Sequence, residues 1–314
     1  MADPGILTGS AIETKSTSKK VKLSERHIKD SQRMSSNKTW FITGASSGFG
    51  RAFAEHAISR GYNVVASARN VDRLQDLVAL APSRVLTVRL DVNRTQDIQP
   101  AIDAAVTRFG RIDVLINNAG YGVVGAVEET PEAEWRAIMD TNFFGAIAVT
   151  QAALPVLREQ RSGAIVNISS LGGQLSFAGF SAYSASKFAL EGASEALAME
   201  LAPFGIKVLV VEPGAFRTEL MGDATRRMTP MQAYETTVGG TRALASGMHG
   251  TQQGDPRKAA AAIEKALDAP VTPLRLQLGA DAVEAVRNHA EALLRDLAQW
   301  QDVAVATRID DAEI

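Results

Sequence analysis

The sequence predicts an α/β fold: a single domain on a doubly wound parallel sheet of about seven strands, with helices on both faces. Three observations predict it. From Lys38 onward, short β-branched runs alternate with longer helical patterns, the order that joins parallel strands by crossover helices. Several runs are apolar at consecutive positions, as strands covered on both faces are. A glycine-rich stretch, TGASSGFG at 43–50, stands where the first run gives way to the first helical pattern.

The first 33 residues stand apart. They carry seven Lys/Arg against four Asp/Glu and five of the ten lysines. They lack the apolar core of a secretory signal peptide and any interleaved aromatics that would suggest a nucleic-acid arm. They read as a disordered extension or a vector leader, with the natural start at Met34 and the domain over 34–314. Strands are expected at 39–43 (TWFIT), 63–68 (NVVASA), 84–90 (RVLTVRL), 113–117 (DVLIN), 164–169 (AIVNIS), 207–212 (KVLVVE) and 274–278 (LRLQL). Helices are expected near 49–60, 70–80, 95–109, 131–160, 182–202, 256–268 and 280–300. The exception to the alternation is 215–255, which holds Met221, Met228, Met231 and Met248, four of the eight methionines, with Leu220 and Tyr234. An excursion of that length beyond the carboxyl end of a strand predicts a lid over a ligand.

Composition narrows the classes. The chain has 314 residues, 46% hydrophobic and 22% charged, with a formal charge of −2, the profile of a soluble globular protein. It contains no cysteine, which excludes disulfides, thiolate metal sites and a cysteine nucleophile and suits a cytoplasmic location. The longest apolar runs are strand-length, too short to span a bilayer. His56, His249 and His289 keep no metal-ligand spacing with acids, so no metal is expected.

A helix that begins straight after a strand presents open N–H groups and the positive end of its dipole. Phosphate binds there if the backbone can come close, which side chains would prevent. Gly44, Gly48 and Gly50 supply the close approach, and Ser46 and Ser47 can add hydroxyl donors. The spacing is G-x-x-x-G-x-G. With that spacing the sequence resembles the short-chain dehydrogenase/reductase family. Further motifs follow in the family's order: DV at Asp91–Val92, NNAG ending at Gly120, TNFFG with Asn142, NISS ending at Ser170, YSASK from Tyr183 to Lys187, and PGAFRT from Pro213 to Thr218. The likeness covers nearly all of 38–220 and continues more loosely to about 300, near bacterial members of the 17β-hydroxysteroid dehydrogenase group.

The resemblance implies a Rossmann-like fold, a nicotinamide dinucleotide and hydride transfer. Its cofactor site would comprise Gly44, Ser46, Ser47, Gly48, Phe49 and Gly50 in the loop, then Asp91 and Val92 on the adenine. Asn118, Ala119 and Gly120 would pass beside the sugar. Pro213, Gly214, Phe216 and Thr218 would anchor the nicotinamide, and Asn117 would tie neighbouring strands together. Asp91 is also a candidate helix cap. At the end of the second strand, where many NAD-using relatives carry an aspartate, this chain has Ala68 followed by Arg69. A carboxylate would repel a 2′-phosphate and a guanidinium can grip it, so NADP(H) is expected, with NAD(H) as the lesser alternative.

Tyr183 and Lys187 are four apart in a helical segment and share one face. An ordinary tyrosine, with a pKa near 10, is a competent acid but seldom a base; a neighbouring ammonium is expected to lower it toward the working range. By resemblance Ser170, with Ser169 as its rival, orients the substrate oxygen. Lys187 also binds the nicotinamide ribose, and Asn142 holds a water in a proton relay. The expected substrate walls are Gly122–Val124, with Val123 central, then Leu175, Phe177, Phe180, Leu220 and Met221. No arginine or lysine enters them, which predicts a hydrophobic ketone, aldehyde or secondary alcohol. Two other readings are a regulator that binds NADP(H) without turnover and a sugar-nucleotide epimerase or dehydratase. The long helices near 131–160 and 182–202 are expected to pair subunits into a homodimer or homotetramer.

Overall fold

A computed structural model describes Met1 and residues 38–309. The extension expected over 1–33 lies, apart from Met1, outside the described residues. All seven expected strands form, within a residue or two of the expected ends. They are β1 (Thr39–Ile42), β2 (Asn63–Ala68), β3 (Val85–Arg89), β4 (Val114–Asn117), β6 (Gly163–Ile168), β7 (Ile206–Pro213) and β9 (Arg275–Leu278). They make one parallel sheet in the order β3-β2-β1-β4-β6-β7-β9. The remaining two strands, β5 (Gly122–Val124) and β8 (Thr225–Arg227), pair with each other in a small separate sheet.

Helices cover both faces: α1 (Gly48–Ser59), α2 (Gln75–Leu80), α3 (Thr95–Phe109), α4 (Glu132–Met139), α5 (Gly145–Gln160), α6 (Ser181–Leu201), α7 (Glu235–Gly247), α8 (Pro256–Leu267) and α9 (Ala280–Val305). The alternation of β1 shows how the strands serve two cores. Trp40 and Ile42 join Phe53, Val64 and Ile263 on one face, and Phe41 joins Val65, Ile102, Leu115 and Leu157 on the other. Side chains alternate along a strand, so a run that is apolar throughout buries both sides. Each fully buried Leu, Ile or Phe contributes roughly 1.5–3 kcal/mol.

Two expectations change. The single helix over 131–160 is two helices separated by a π turn at Asp140–Phe144. The 215–255 excursion is not loop throughout: it contains β8, α7 and short 3-10 turns at Glu219–Met221 and Gln232–Tyr234. β5 and β8 tie it to the body, with Gly122 in register with Thr225.

Strand order positions the site. The chain builds outward from β1 in one direction to β3, then returns to β4 on the other side. The crevice at that reversal, outside the carboxyl ends, is where open α/β sheets bind ligands. The stretches TGASSGFG, NNAG, NISS and the PGAFRT beginning at Pro213 all lie at that edge.

Candidate active site

The glycine loop is fastened from below. Thr43 Oγ1 donates to the Ile116 carbonyl at 3.3 Å and accepts from the backbone N–H groups of Asn118 and Ala119 at 2.9 and 3.0 Å. The Asn118 amide donates back to the carbonyls of Thr43 and Gly44 at 2.9 and 3.1 Å. Thr43 therefore locks NNAG against the loop, a part that motif reading did not assign to it. Gly44 and Gly48 have φ of +67° and +53°, which side chains disfavour. Ser47 precedes α1 with extended backbone and makes no side-chain cap, and no acid stands in the first turn. The opening amides of α1 are thus free for an anion. Bare backbone and open donors fit a dinucleotide phosphate.

Gly44, Ser46, Ser47, Gly48 and Phe49 line one cavity of about 940 Å³. Gly50 does not: it is buried and serves packing. Phe49 stacks on Phe53 at 5.5 Å and meets Phe216 at 5.1 Å. Across the crevice Asn118, Ala119 and Gly120 form the next wall, and Pro213, Gly214, Phe216 and Thr218 a third. Asn117 is architectural, donating to Asn167 at 2.8 Å and Thr150 at 2.9 Å.

At the far end of the cavity lie Arg69, Asp91 and Val92. Asp91 accepts from the Asn93 N–H at 3.1 Å, a local turn, while the N-cap of α3 is Arg94. Its role as a helix cap is therefore not borne out. Ala68 is buried at the end of β2, and Arg69 is exposed. Arg73, one turn further on in RNVDR, lines the same end.

Ser170, Tyr183 and Lys187 meet on the cavity wall. Ser170 Oγ accepts from the Gly172 N–H at 3.0 Å. Its influence on the Tyr183 phenol, which it draws down against burial, favours it over Ser169, which is buried and also lines the cavity. Lys187 Nζ lies 5.8 Å from the Tyr183 ring centre and donates to the Ile168 carbonyl at 2.8 Å. Burial pushes the Tyr183 phenol up from its ordinary value, with Ser170 opposing. The expected downward pull by Lys187 is not what this site shows: burial sets the direction, and the one group that opposes it is Ser170. Burial also brings Lys187 down to about 8, against the attraction of Glu191.

Asn142 sits in the π turn off the cavity wall. Its Oδ1 accepts from the Tyr121 N–H, and its Nδ2 donates to the Tyr121 carbonyl and to Ser186 Oγ, all at 3.0 Å. It holds the backbone beside Gly120, whose absent side chain makes room: a Cβ there would stand 2.9 Å from Asn142 Oδ1.

Phe177, Phe180, Leu220 and Met221 line the cavity as expected, joined from α7 by Leu244 with Met248 just beyond its end. Val123 and Leu175 do not. Pairing of β5 with β8 turns Val123 into a small core with Ile138 and Ala182. A helical turn from Leu171, whose carbonyl accepts from the Leu175 N–H at 3.2 Å, carries Leu175 off the wall. The expectation of walls without arginine also fails: Arg226 lines the cavity. Its charge is already engaged, 2.7 Å from Glu134 and 4.5 Å over the Tyr121 ring. Among the described residues no cluster of His, Asp and Glu could hold a metal, and no helix is long and apolar enough to cross a membrane.

Comparison with known proteins agrees with this geometry. The family model described as short chain dehydrogenase matches residues 38–229. The chain is 40% identical over 271 residues to Oxidoreductase BOA17 of Botryotinia fuckeliana, covering 86% of this chain and 99% of that protein. The crystal structure of a short-chain dehydrogenase from Streptomyces avermitilis superimposes with a TM-score of 0.82 at 51% identity, covering 86% of this chain and all of that one. A short-chain dehydrogenase/reductase from Burkholderia phymatum, solved in complex with NAD, superimposes with a TM-score of 0.73 at 25% identity over 82% of this chain and 95% of that one.

Proposed function

This chain belongs to the short-chain dehydrogenase family, and from that premise we propose that it transfers hydride between NADP(H) and a hydrophobic ketone, aldehyde or secondary alcohol. The observation that carries the reading is the meeting of Ser170, Tyr183 and Lys187 on the cavity that the glycine loop opens. When bound, the nicotinamide nucleotide supplies or accepts the hydride. The chain's own residues do the rest. Ser170 hydrogen-bonds the substrate oxygen and orients it on Tyr183. Tyr183, kept neutral by burial, donates its phenolic proton to that oxygen in reduction and takes it back in oxidation. The Lys187 ammonium stabilises the phenolate left behind and binds the nicotinamide ribose. Asn142 keeps the Gly120–Tyr121 backbone in place beside them.

Preference for NADP(H) is supported by Ala68 without a carboxylate and by two guanidinium groups, Arg69 and Arg73, at that end of the cavity. Guanidinium groups suit a 2′-phosphate through charge-assisted bonds. The NAD held by the Burkholderia relative is that protein's ligand, and NAD(H) remains the lesser alternative here. Phe177, Phe180, Leu220, Leu244 and Met248 support an apolar substrate, since the one arginine among them is neutralised by Glu134. Phe144 and Phe188, 55% and 46% exposed on the π turn and α6, support burial of those helices in a homodimer or homotetramer.

The test is consumption of NADPH and of NADH with a panel of bulky apolar ketones and aldehydes beside charged sugars. Turnover of the apolar carbonyls with NADPH is expected. Tight NADP(H) binding without turnover of any carbonyl would make the chain a regulator instead.

A further inference from the structure

One turn beyond Lys187 on α6 stands Glu191, and beside it on β7 stands Glu212; they are 4% and 0% exposed. Arg275 on β9 reaches both. Its Nε is 3.0 Å from Glu191 Oε2 and 3.6 Å from Glu212 Oε1, while its Nη2 meets the exposed Glu195 at 2.6 Å. The amides of Gln174 and Gln277 donate to the two oxygens of Glu212 at 3.1 and 2.7 Å. Ser169 faces Glu191 across Gly173, where a Cβ would stand 2.4 Å from Ser169 Oγ and 3.0 Å from Glu191 Cγ.

Two buried carboxyl groups here depend on one guanidinium that a third carboxylate also claims. Burying both as anions is costly, so ionisation of either carboxyl opposes ionisation of the other. Burial pushes Glu191 up; burial and the charge of Glu191 bring Glu212 to about 7. The other groups around Lys187 carry no negative charge near neutrality. They are the Tyr183 phenol on the same helix, the Ile168 carbonyl on β6, and the Gly120 backbone with Asn142 behind it. Glu191 is the one acid whose attraction opposes the effect of burial on Lys187.

We propose that Glu191 is a positioning residue that keeps Lys187 charged, and that Glu212 and Arg275 govern how much negative charge Glu191 presents to it. An ionised Glu191 favours the ammonium form through its charge one helical turn away, while the Ile168 carbonyl keeps the hydrogen bond; a protonated Glu191 withdraws that support. Glu212 competes with Glu191 for Arg275, so an ionised Glu212 favours the protonated form of its neighbour. The functional consequence, control over stabilisation of the Tyr183 phenolate, rests on the oxidoreductase reading above.

The test uses the full chain grown with carbon-13-labelled lysine, following each side-chain signal against pH by NMR. Lys187 is identified by the signal lost in Lys187→Arg. Its midpoint in the wild type is expected near 8. Glu191→Gln is expected to lower that midpoint by roughly 1 unit, the lower end of the shifts one nearby charge produces. Glu212→Gln is expected to raise it, because Glu191 then ionises more fully. Opposite shifts from two near-isosteric changes in one buried cluster do not arise from loosened packing. A midpoint unmoved in either variant, or moved the same way in both, overturns the proposal. If Glu191→Gln fails to fold, Glu212→Gln decides alone: a rise supports the proposal, and no change or a fall overturns it. The readout needs neither nucleotide nor substrate. A chain that titrates as expected yet transfers no hydride would sink the oxidoreductase reading and leave this one standing.

Discussion

Gly50 lies so close to Gly44 that a Cβ on it would stand 2.3 Å from the Gly44 carbonyl oxygen and 2.6 Å from the Asn118 amide nitrogen. The first of these neighbours is backbone and cannot swing aside. Gly50→Ala therefore has to push the loop away from NNAG, at roughly 1–3 kcal/mol, the usual cost of overpacking. The expected outcome is a lower melting temperature together with a clear loss of dinucleotide affinity, read by calorimetry and by fluorescence titration. Unchanged affinity would show that the loop does not shape the nucleotide site.

Tyr183→Phe removes the proton donor and keeps the ring. Turnover is expected to fall at least a thousandfold, on the order of the upper range for losing an acid–base group, while NADPH affinity changes little. Single-turnover fluorescence separates the two.

Lys187 gives the reaction a pH limit. Its folded value is drawn down to about 8, so the ammonium is present below that pH and lost above it. Ketone reduction at saturating NADPH is expected to decline as pH rises through about 8, with Lys187→Ala low throughout. The loss is in the alkaline direction because the useful form is the protonated one.

Ala68→Asp puts a carboxylate where the 2′-phosphate would lie. The ratio of kcat/KM for NADPH over NADH is expected to fall by roughly 10–100-fold, the equivalent of losing a charge-assisted bond. An unchanged ratio would move the phosphate away from Arg69 and Arg73.

The 215–255 segment is latched by Glu129, which accepts from Arg242 on α7 and from the backbone of Met231 and Ala126. Arg242 and these N–H groups hold the Glu129 carboxyl at about 2, well below its ordinary value. A lowered value stabilises the fold above pH 4.5 and loses that contribution as pH falls toward about 2. Arg242→Met leaves a buried carboxylate unpaired and is expected to cost about 3 kcal/mol near neutral pH. The difference from wild type in urea melts should shrink as the medium becomes acidic.

Much of this architecture was legible because the signals were long or repeated. The runs forming β1, β2 and β6 are apolar on both faces, and the motifs at their ends come in order. The cradle glycines and the Tyr183–Lys187 pair followed from the same motifs. What stayed hidden depends on short or distant contacts. β5 and β8 have three residues each, too few for any period to show, so Val123 was placed on the wrong side. Arg226 reaches the cavity only because that pairing lays β8 beside Tyr121. Thr43 looked like the end of a strand, and its partners Asn118 and Ala119 are 75 residues or more away in the chain. The effect of burial on Tyr183 could not be read from a neighbour four positions along.

The π turn at Asp140–Phe144 carries a last implication. A wide turn accommodates one residue more than an α-turn, so everything after it is rotated by about 100° relative to a continuous helix. α4 can then turn Ile138 into the small core beside Val123 and Ala182 while α5 lays Val149, Ala153 and Leu157 on the sheet, and the Asn142 side chain at the surplus residue is buried. Shortening the segment by one position would regularise the helix and swing Asn142 off Tyr121, unmooring the chain beside Gly120. The irregularity is what permits one rod to serve as both wall and clamp.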